Sequence, residues 1–191
     1  FSFHDDYETF EKIITLRDWD FCQIQYNYLD TDVQAGDKGY ALAEKLGIPL
    51  VVMEPVKGGI LAQLPEDVTA PIRACSPDTS LASWALRWVA SKPNVKVILS
   101  GMSTMEQVND NLETFGHLAP LTEEEIALTA QVAADIKSRT KNGCTGCEYC
   151  MPCPFGVDIP RNFRIWNEYS MYGNEELTRK RYFKDLDPSK L

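Results

Sequence analysis

Three short apolar runs, Phe21-Cys-Gln-Ile-Gln-Tyr-Asn27, Pro49-Leu-Val-Val-Met53 and Val95-Lys-Val-Ile-Leu-Ser100, alternate with stretches of helical periodicity. An alternation of this kind selects an α/β fold with a parallel sheet and right-handed helical crossovers. The first run alternates apolar and polar residues and sets Gln23, Gln25 and Asn27 on one face of a strand. The other two are nearly continuous in apolar character and read as strands buried on both faces. Phe1-Ser-Phe-His4 reads as the end of a strand that comes before them, as expected of a chain that is part of a longer one.

The intervening segments carry helix signals. Asp5 or Asp6 caps a helix whose apolar positions are Phe10, Ile13 and Ile14. Residues 32–46 form an amphipathic helix closed by Gly47. After Gly58-Gly59 comes a stretch rich in Pro and Asp that reads as irregular. Residues 80–89 then form a helix whose stripe of Leu81, Trp84, Ala85 and Trp88 belongs to the core. Gly101-Met-Ser-Thr104 leads into a helix over 105–114, and a glycine turn at a helix N-terminus offers backbone N–H groups to an anion such as phosphate. Thr122-Glu-Glu-Glu125 opens a long helix toward Ser138 with a capping box. Two helices, 157–172 and 175–183, and a polar tail complete the chain.

Cys144-Thr-Gly-Cys147-Glu-Tyr-Cys150-Met-Pro-Cys153-Pro154 interrupts this pattern with four thiols at a constant three-residue step. Thiolates are soft ligands for zinc or an iron–sulfur cluster, and short Cys-x-x-Cys steps let neighbouring sulfurs converge. The bacterial ferredoxin run has a longer last spacer, and its fourth cysteine serves the second cluster of a two-cluster domain. Cys144, Cys147 and Cys150 are therefore the core ligands expected of one [4Fe–4S] cluster, with Cys153 as the fourth. A four-cysteine zinc site and a disulfide framework are the competing readings. Cys22 reads as a small buried hydrophobe, Cys75 as a loop thiol, and His117 as a solvated loop residue.

Composition narrows the partners. A chain of 191 residues with 44% hydrophobic and 25% charged residues is an ordinary globular one, and a formal net charge of −9 disfavours nucleic acid and anionic membranes. There is neither an apolar run of about 18 residues nor a charged-then-apolar leader, and the expected location is the cytoplasm.

Asp20-Phe-Cys-Gln-Ile-Gln-Tyr-Asn-Tyr, Met53-Glu-Pro-Val-Lys-Gly-Gly-Ile-Leu61 and Gly101-Met-Ser-Thr-Met-Glu-Gln-Val-Asn-Asp-Asn111, in this order, resemble the second half of the aldo/keto reductase family. The Cys-Thr-Gly-Cys and Cys-Met-Pro-Cys-Pro blocks resemble those of its branch with a carboxy-terminal ferredoxin-like extension. The resemblance implies the C-terminal half of a (β/α)8 TIM barrel, strands five to eight, over residues 1–140, and a small α-helical iron–sulfur extension over 141–191. It also implies an oxidoreductase that reduces small-molecule carbonyl substrates with NAD(P)H, with its site at the carboxyl ends of the strands.

The family's Asp, Tyr, Lys and His catalytic set would lie in the other half of the barrel. Tyr26, Lys57, Glu54 and His4 do not match its positions, so no catalytic residue is assigned and the chain alone is expected to be inactive. The resemblance assigns part of a cofactor cradle instead. Gln23 and Ser2 look like the pair that holds the nicotinamide carboxamide, with Phe3 where an asparagine often helps. Met53 occupies the place of a ring that stacks on the nicotinamide. Gly101, Met102 and Ser103 lie in the loop near the adenosine phosphate, Gln107 replaces an arginine that holds the 2′-phosphate, and Asn111 resembles the adenine contact. A homodimer or a second chain would complete the half-barrel. An electron-transfer module built on the cluster and a structural zinc site are the alternatives.

Overall fold

Strands β1 (Cys22–Gln25), β2 (Leu50–Met53) and β3 (Val95–Ile98) pair in parallel, in that order, in a computed structural model that describes residues 1–185. Gln23 stands opposite Val51 and Gln25 opposite Met53. Ser2 bridges Gln23 in parallel, with Phe3 N–H donating to Gln23 O at 3.0 Å and Gln23 N–H to Phe1 O at 2.8 Å. The first residues thus pair with β1 through an isolated parallel bridge, consistent with the strand end their sequence suggests. Each strand is shorter than its apolar run, but the pairing outlasts it: Tyr26 N–H donates to Met53 O at 3.2 Å.

Burial in β1 and β2 alternates. Cys22, Ile24, Leu50 and Val52 are buried, whereas Gln23, Gln25, Val51 and Met53 are half-buried. The expectation of strands buried on both faces is therefore wrong for β2, and more so for β3, where Val97 is 47% exposed. The reason is positional, since β3 ends the sheet and has β2 as its one neighbouring strand among the described residues.

Helix α1 (Tyr7–Ile14) starts at Asp6, whose carboxylate accepts from Thr9 N–H at 2.9 Å. Helix α2 (Gly36–Leu46) starts four residues later than its amphipathic pattern does, because the backbone turns left-handed at Gln34 (φ 56°) and again at Gly36 (φ 52°), so that a right-handed helix can be propagated only from there on. Gly47 ends it at φ 69°. Helix α4 (Leu81–Ala90) buries Leu81, Trp84, Ala85 and Trp88 as the stripe predicts, and Leu86 and Val89 as well. The Trp88 ring packs 5.0 Å from that of Tyr26.

The stretch read as irregular contains helix α3 (Glu66–Cys75). Its signal was present in Leu64, Val68 and Ile72, spaced four apart and all buried, but Pro71 inside the helix obscured it. Cys75 consequently ends a helix, where it is exposed, rather than lying in a loop. Helices α5 (Met105–Gly116) and α6 (Glu123–Ser138) both open with reciprocal caps, Thr104 with Gln107 and Thr122 with Glu125. Helices α7 (Ile159–Tyr172) and α8 (Glu175–Lys180) follow the cysteine segment, and a π-turn spans Arg181–Asp185. The expected polar tail lies, from residue 186 on, outside the described residues.

The chain forms two compact units. The first comprises Phe1–Gln63 and Ala70–Gln131; the second comprises Leu64–Thr69 and the residues from Val132 on. The buried apolar residues of the second are Leu64, Val68, Val132, Ala133, Ile136 and Ile165. Among the described residues, no helix is long and apolar enough to cross a membrane.

Gly36 shows how tightly the turn after β1 is made. Its φ is left-handed, and a Cβ there would stand 2.5 Å from Thr31 O. Gly36→Ala should therefore lower unfolding stability by about 2 kcal/mol in urea titration, and an unchanged midpoint would refute this view of the turn.

Candidate functional site

On the half-buried face of β1 and β2 the structure brings together three of the residues assigned to the nicotinamide end. Gln23 Nε2 lies 3.4 Å from Ser2 Oγ and 3.4 Å from Met53 Sδ. The parallel register makes this possible, because Gln23 and Met53 share the half-buried face of adjacent strands. Phe3 does not join them. It is buried in the core with its ring 5.1 Å from that of Phe10, so the position is a packing one here.

The remaining assigned residues line a separate cleft of about 390 Å3. One wall is the turn after β2, which includes Glu54, Val56 and Gly59; the other contains Gly101, Met102, Ser103, Gln107 and Asn111. The two groups of residues are connected through the chain at Met53-Glu54. Asn111 is oriented by Nδ2 donating to Ser100 Oγ at 2.8 Å. Asp110 accepts from Ser80 Oγ at 2.7 Å, which ties α5 to the start of α4.

Gln107 behaves differently from expectation. Its side-chain oxygen accepts from Ser103 N–H at 2.7 Å and from Thr104 N–H at 3.2 Å. Two of the backbone donors that the glycine turn was expected to offer an anion are thereby satisfied within the chain. Gln107 braces the loop through the capping box of α5, a motif legible in Thr104-x-x-Gln107.

Two of the polar residues at the strand ends, Tyr26 and Lys57, are engaged by carboxylates. Tyr26 is buried and its hydroxyl donates to Asp37 Oδ1; burial first, and the Asp37 carboxylate next, push its ionisation well above the ordinary tyrosine range. Lys57 Nζ lies 2.5 Å from Asp30 Oδ2, and His4 is exposed. The sequence reading missed Asn27 as a structural hub and missed Asp30 altogether; both are buried. Their signal was the Asn-x-x-Asp spacing just past a strand, where Asn27 Oδ1 accepts from Leu29 and Asp30 N–H groups.

In the second unit, Cys144, Cys147 and Cys150 are exposed and Cys153 is half-buried; all are free thiols. The segment has no helix or strand between Thr140 and Asp158 and turns at Gly146, Glu148 and Gly156, whose φ values are 71°, 60° and 77°. Among the described residues no three metal-binding side chains are gathered as a metal site. The donor set is right in kind for a soft metal centre, but its sulfurs are not drawn together. Asn167 on α7, which the sequence did not single out, holds the start of this segment. Its Oδ1 accepts from Lys141 and Asn142 N–H at 3.1 and 2.9 Å, and its Nδ2 donates to Asn142 O at 2.7 Å.

Cys147 is the thiol whose surroundings favour its charged form. The backbone N–H of Tyr149 and the side chain of Thr145 hold its pKa below the ordinary thiol value, outweighing the nearby Glu148 carboxylate. A lowered pKa leaves more thiolate as the pH falls. Alkylation of the metal-free chain by iodoacetamide, read by peptide mass spectrometry, should show a Cys147 midpoint below the free-thiol value of about 8.5; a midpoint at or above it would contradict the geometry.

Comparison with known proteins places this arrangement. The profile of the aldo/keto reductase family matches residues 1–134. Among solved structures, the holo form of aldo-keto reductase AKR11C1 from Bacillus halodurans is similar over 69% of this chain and 48% of its own, at 22% identity and a TM-score of 0.55. The thermostable aldo-keto reductase Tm1743, in complex with the inhibitor epalrestat, is similar over 69% of this chain and 46% of its own, at 22% identity and a TM-score of 0.53. At these identities the likeness concerns the fold, and the chain spans about half the length of the structures it matches. A comparison with curated proteins gave no match. With the family profile covering most of its length, from the strand end at Ser2 through most of α6, this chain belongs to the aldo/keto reductase family.

Proposed function

We propose that the chain is the carboxy-terminal portion of an iron–sulfur aldo/keto reductase-like oxidoreductase, which in its complete form reduces small-molecule carbonyl compounds with NAD(P)H. The observation that supports this most directly is the meeting of Ser2, Gln23 and Met53 on the half-buried strand face. An amide and a hydroxyl there match the donor and acceptor needs of a carboxamide, and a polarisable thioether packs against a flat ring. Asn111 and the Gly101–Ser103 loop would serve the adenosine end of the same cofactor, in the cleft beside the turn after β2. When bound, the nicotinamide would supply the hydride and a [4Fe–4S] cluster single electrons.

The residues that would hold such a cluster are Cys144, Cys147, Cys150 and Cys153. Four thiols fit it in chemistry, and the lowering of the Cys147 pKa by the Tyr149 N–H and the Thr145 side chain favours the ligating thiolate. Such a centre persists in a reducing compartment, in keeping with a cytoplasmic location. A second chain, or a second copy of this one, would supply the rest of the barrel.

Two measurements test the reading. Anaerobic reconstitution with iron and sulfide should load on the order of four of each per chain and give a visible band that bleaches on reduction. Zinc bound in their place, with no redox response, would favour a purely structural site. Tyr26, Lys57, Glu54 and His4 do not match the family's catalytic positions, and the Tyr26 hydroxyl is engaged by Asp37. The 191-residue chain should therefore show no NADPH-dependent carbonyl reduction, and robust turnover would overturn this part of the proposal.

A further inference from the structure

We infer that Asp30 and Asn27 are positioning residues that hold the turn of residues 54–59 in the shape of a cleft wall, with Lys57 as the strut between them and the turn. The inference rests on the reading of that cleft as a nucleotide site. Asp30 Oδ2 accepts from Lys57 Nζ at 2.5 Å, from Gln25 Nε2 at 3.0 Å and from Asn27 Nδ2 at 3.2 Å. Asn27 Nδ2 also donates to Glu54 O at 3.1 Å. Asn27 is fully buried and Asp30 5% exposed, so these bonds are made out of water, where an unpaired carboxylate is strongly disfavoured.

The turn needs such support. Glu54 and Lys57 have φ of 57° and 50°, a region that side chains disfavour, and Gly58 and Gly59 follow at 59° and 91°. Both residues carrying the strain are the ones the network grips, Glu54 by its carbonyl and Lys57 by its ammonium. Glu54, Pro55, Val56, Gly58 and Gly59 line the cleft, whereas Lys57 does not. Its charge is spent on Asp30, and the wall is shaped from behind by residues that do not line the cleft themselves.

The test uses the full chain and NADPH as probe. Lys57→Met keeps most of the side-chain stem and removes the ammonium; Lys57→Arg keeps the charge. NADPH affinity, read by fluorescence, should fall about tenfold in Lys57→Met and return to within about threefold of the original in Lys57→Arg. Hydrogen exchange in the absence of nucleotide should quicken at Gly59 and Leu61, whose N–H groups close the turn on Val56 O at 3.0 and 3.2 Å. Asp30→Asn, which retains the volume, should reproduce both effects.

A folded Lys57→Met chain with original affinity and exchange would overturn the inference. Exchange accelerated evenly along the chain would do the same, since it would mean general loosening. If the original chain binds no NADPH, the nucleotide reading of the cleft fails, and local exchange at Gly59 and Leu61 alone decides whether Lys57 positions the turn.

Discussion

Parallel pairing is the constraint from which the rest follows. Two parallel strands cannot be joined by a tight hairpin, so each connection must run back over the sheet, and every strand ends at the same edge. In this chain α2 joins β1 to β2, and α3 and α4 lie between β2 and β3. The carboxyl ends of β1 and β2 therefore emerge side by side. The register Gln25↔Met53 then sets Gln23 within reach of both Ser2 and the Met53 sulfur. No single one of these residues makes a site; the direction of the strands assembles it.

The turns that leave this edge are held by polar side chains as well as by the burial of Tyr28, Leu29 and Leu61. A loop cannot bury its backbone without finding partners for it, and Asn27 supplies them to Leu29, Asp30 and Glu54 at once. The resulting polar centre is more demanding than an apolar one, because losing one member leaves the others unpaired in low dielectric. That demand makes the turn specific in shape. The left-handed backbone of Glu54 and Lys57 can be kept only where surrounding bonds overdetermine it.

Most elements were legible because their signals are local. Asp6, Gly47 and Thr122 mark helix ends through their own side chains or lack of one, and the structure uses each of them in that way, as it also does Ser80 and Thr104, which were not singled out as caps in the sequence. What escaped depends on distant parts of the chain. The exposure of β3 follows from sheet order, which no window of sequence contains. Helix α3 was hidden by Pro71, a local rule overridden by the burial of Leu64, Val68 and Ile72. Asn167 acts on residues 25 and 26 positions earlier. Gln107 carries a further role in the capping box of α5, which depends on its side chain reaching back to the turn before the helix.

The cysteine segment is the reverse case, clear in sequence and open in structure. Its long-range hydrogen bonds end with Asn142, gripped by Asn167, and beyond Cys144 the bonds are short turns such as Met151 N–H to Glu148 O at 2.8 Å and Gly156 N–H to Cys153 O at 2.9 Å. Nor does apolar burial gather it, since Tyr149 is 96% and Phe155 88% exposed. A segment held at one end, with four thiols and few apolar anchors among the described residues, draws little free energy from packing. The spacing of the cysteines is local and can be read directly from the sequence, whereas their arrangement in space depends on long-range contacts, which are made here at the start of the segment through Asn167.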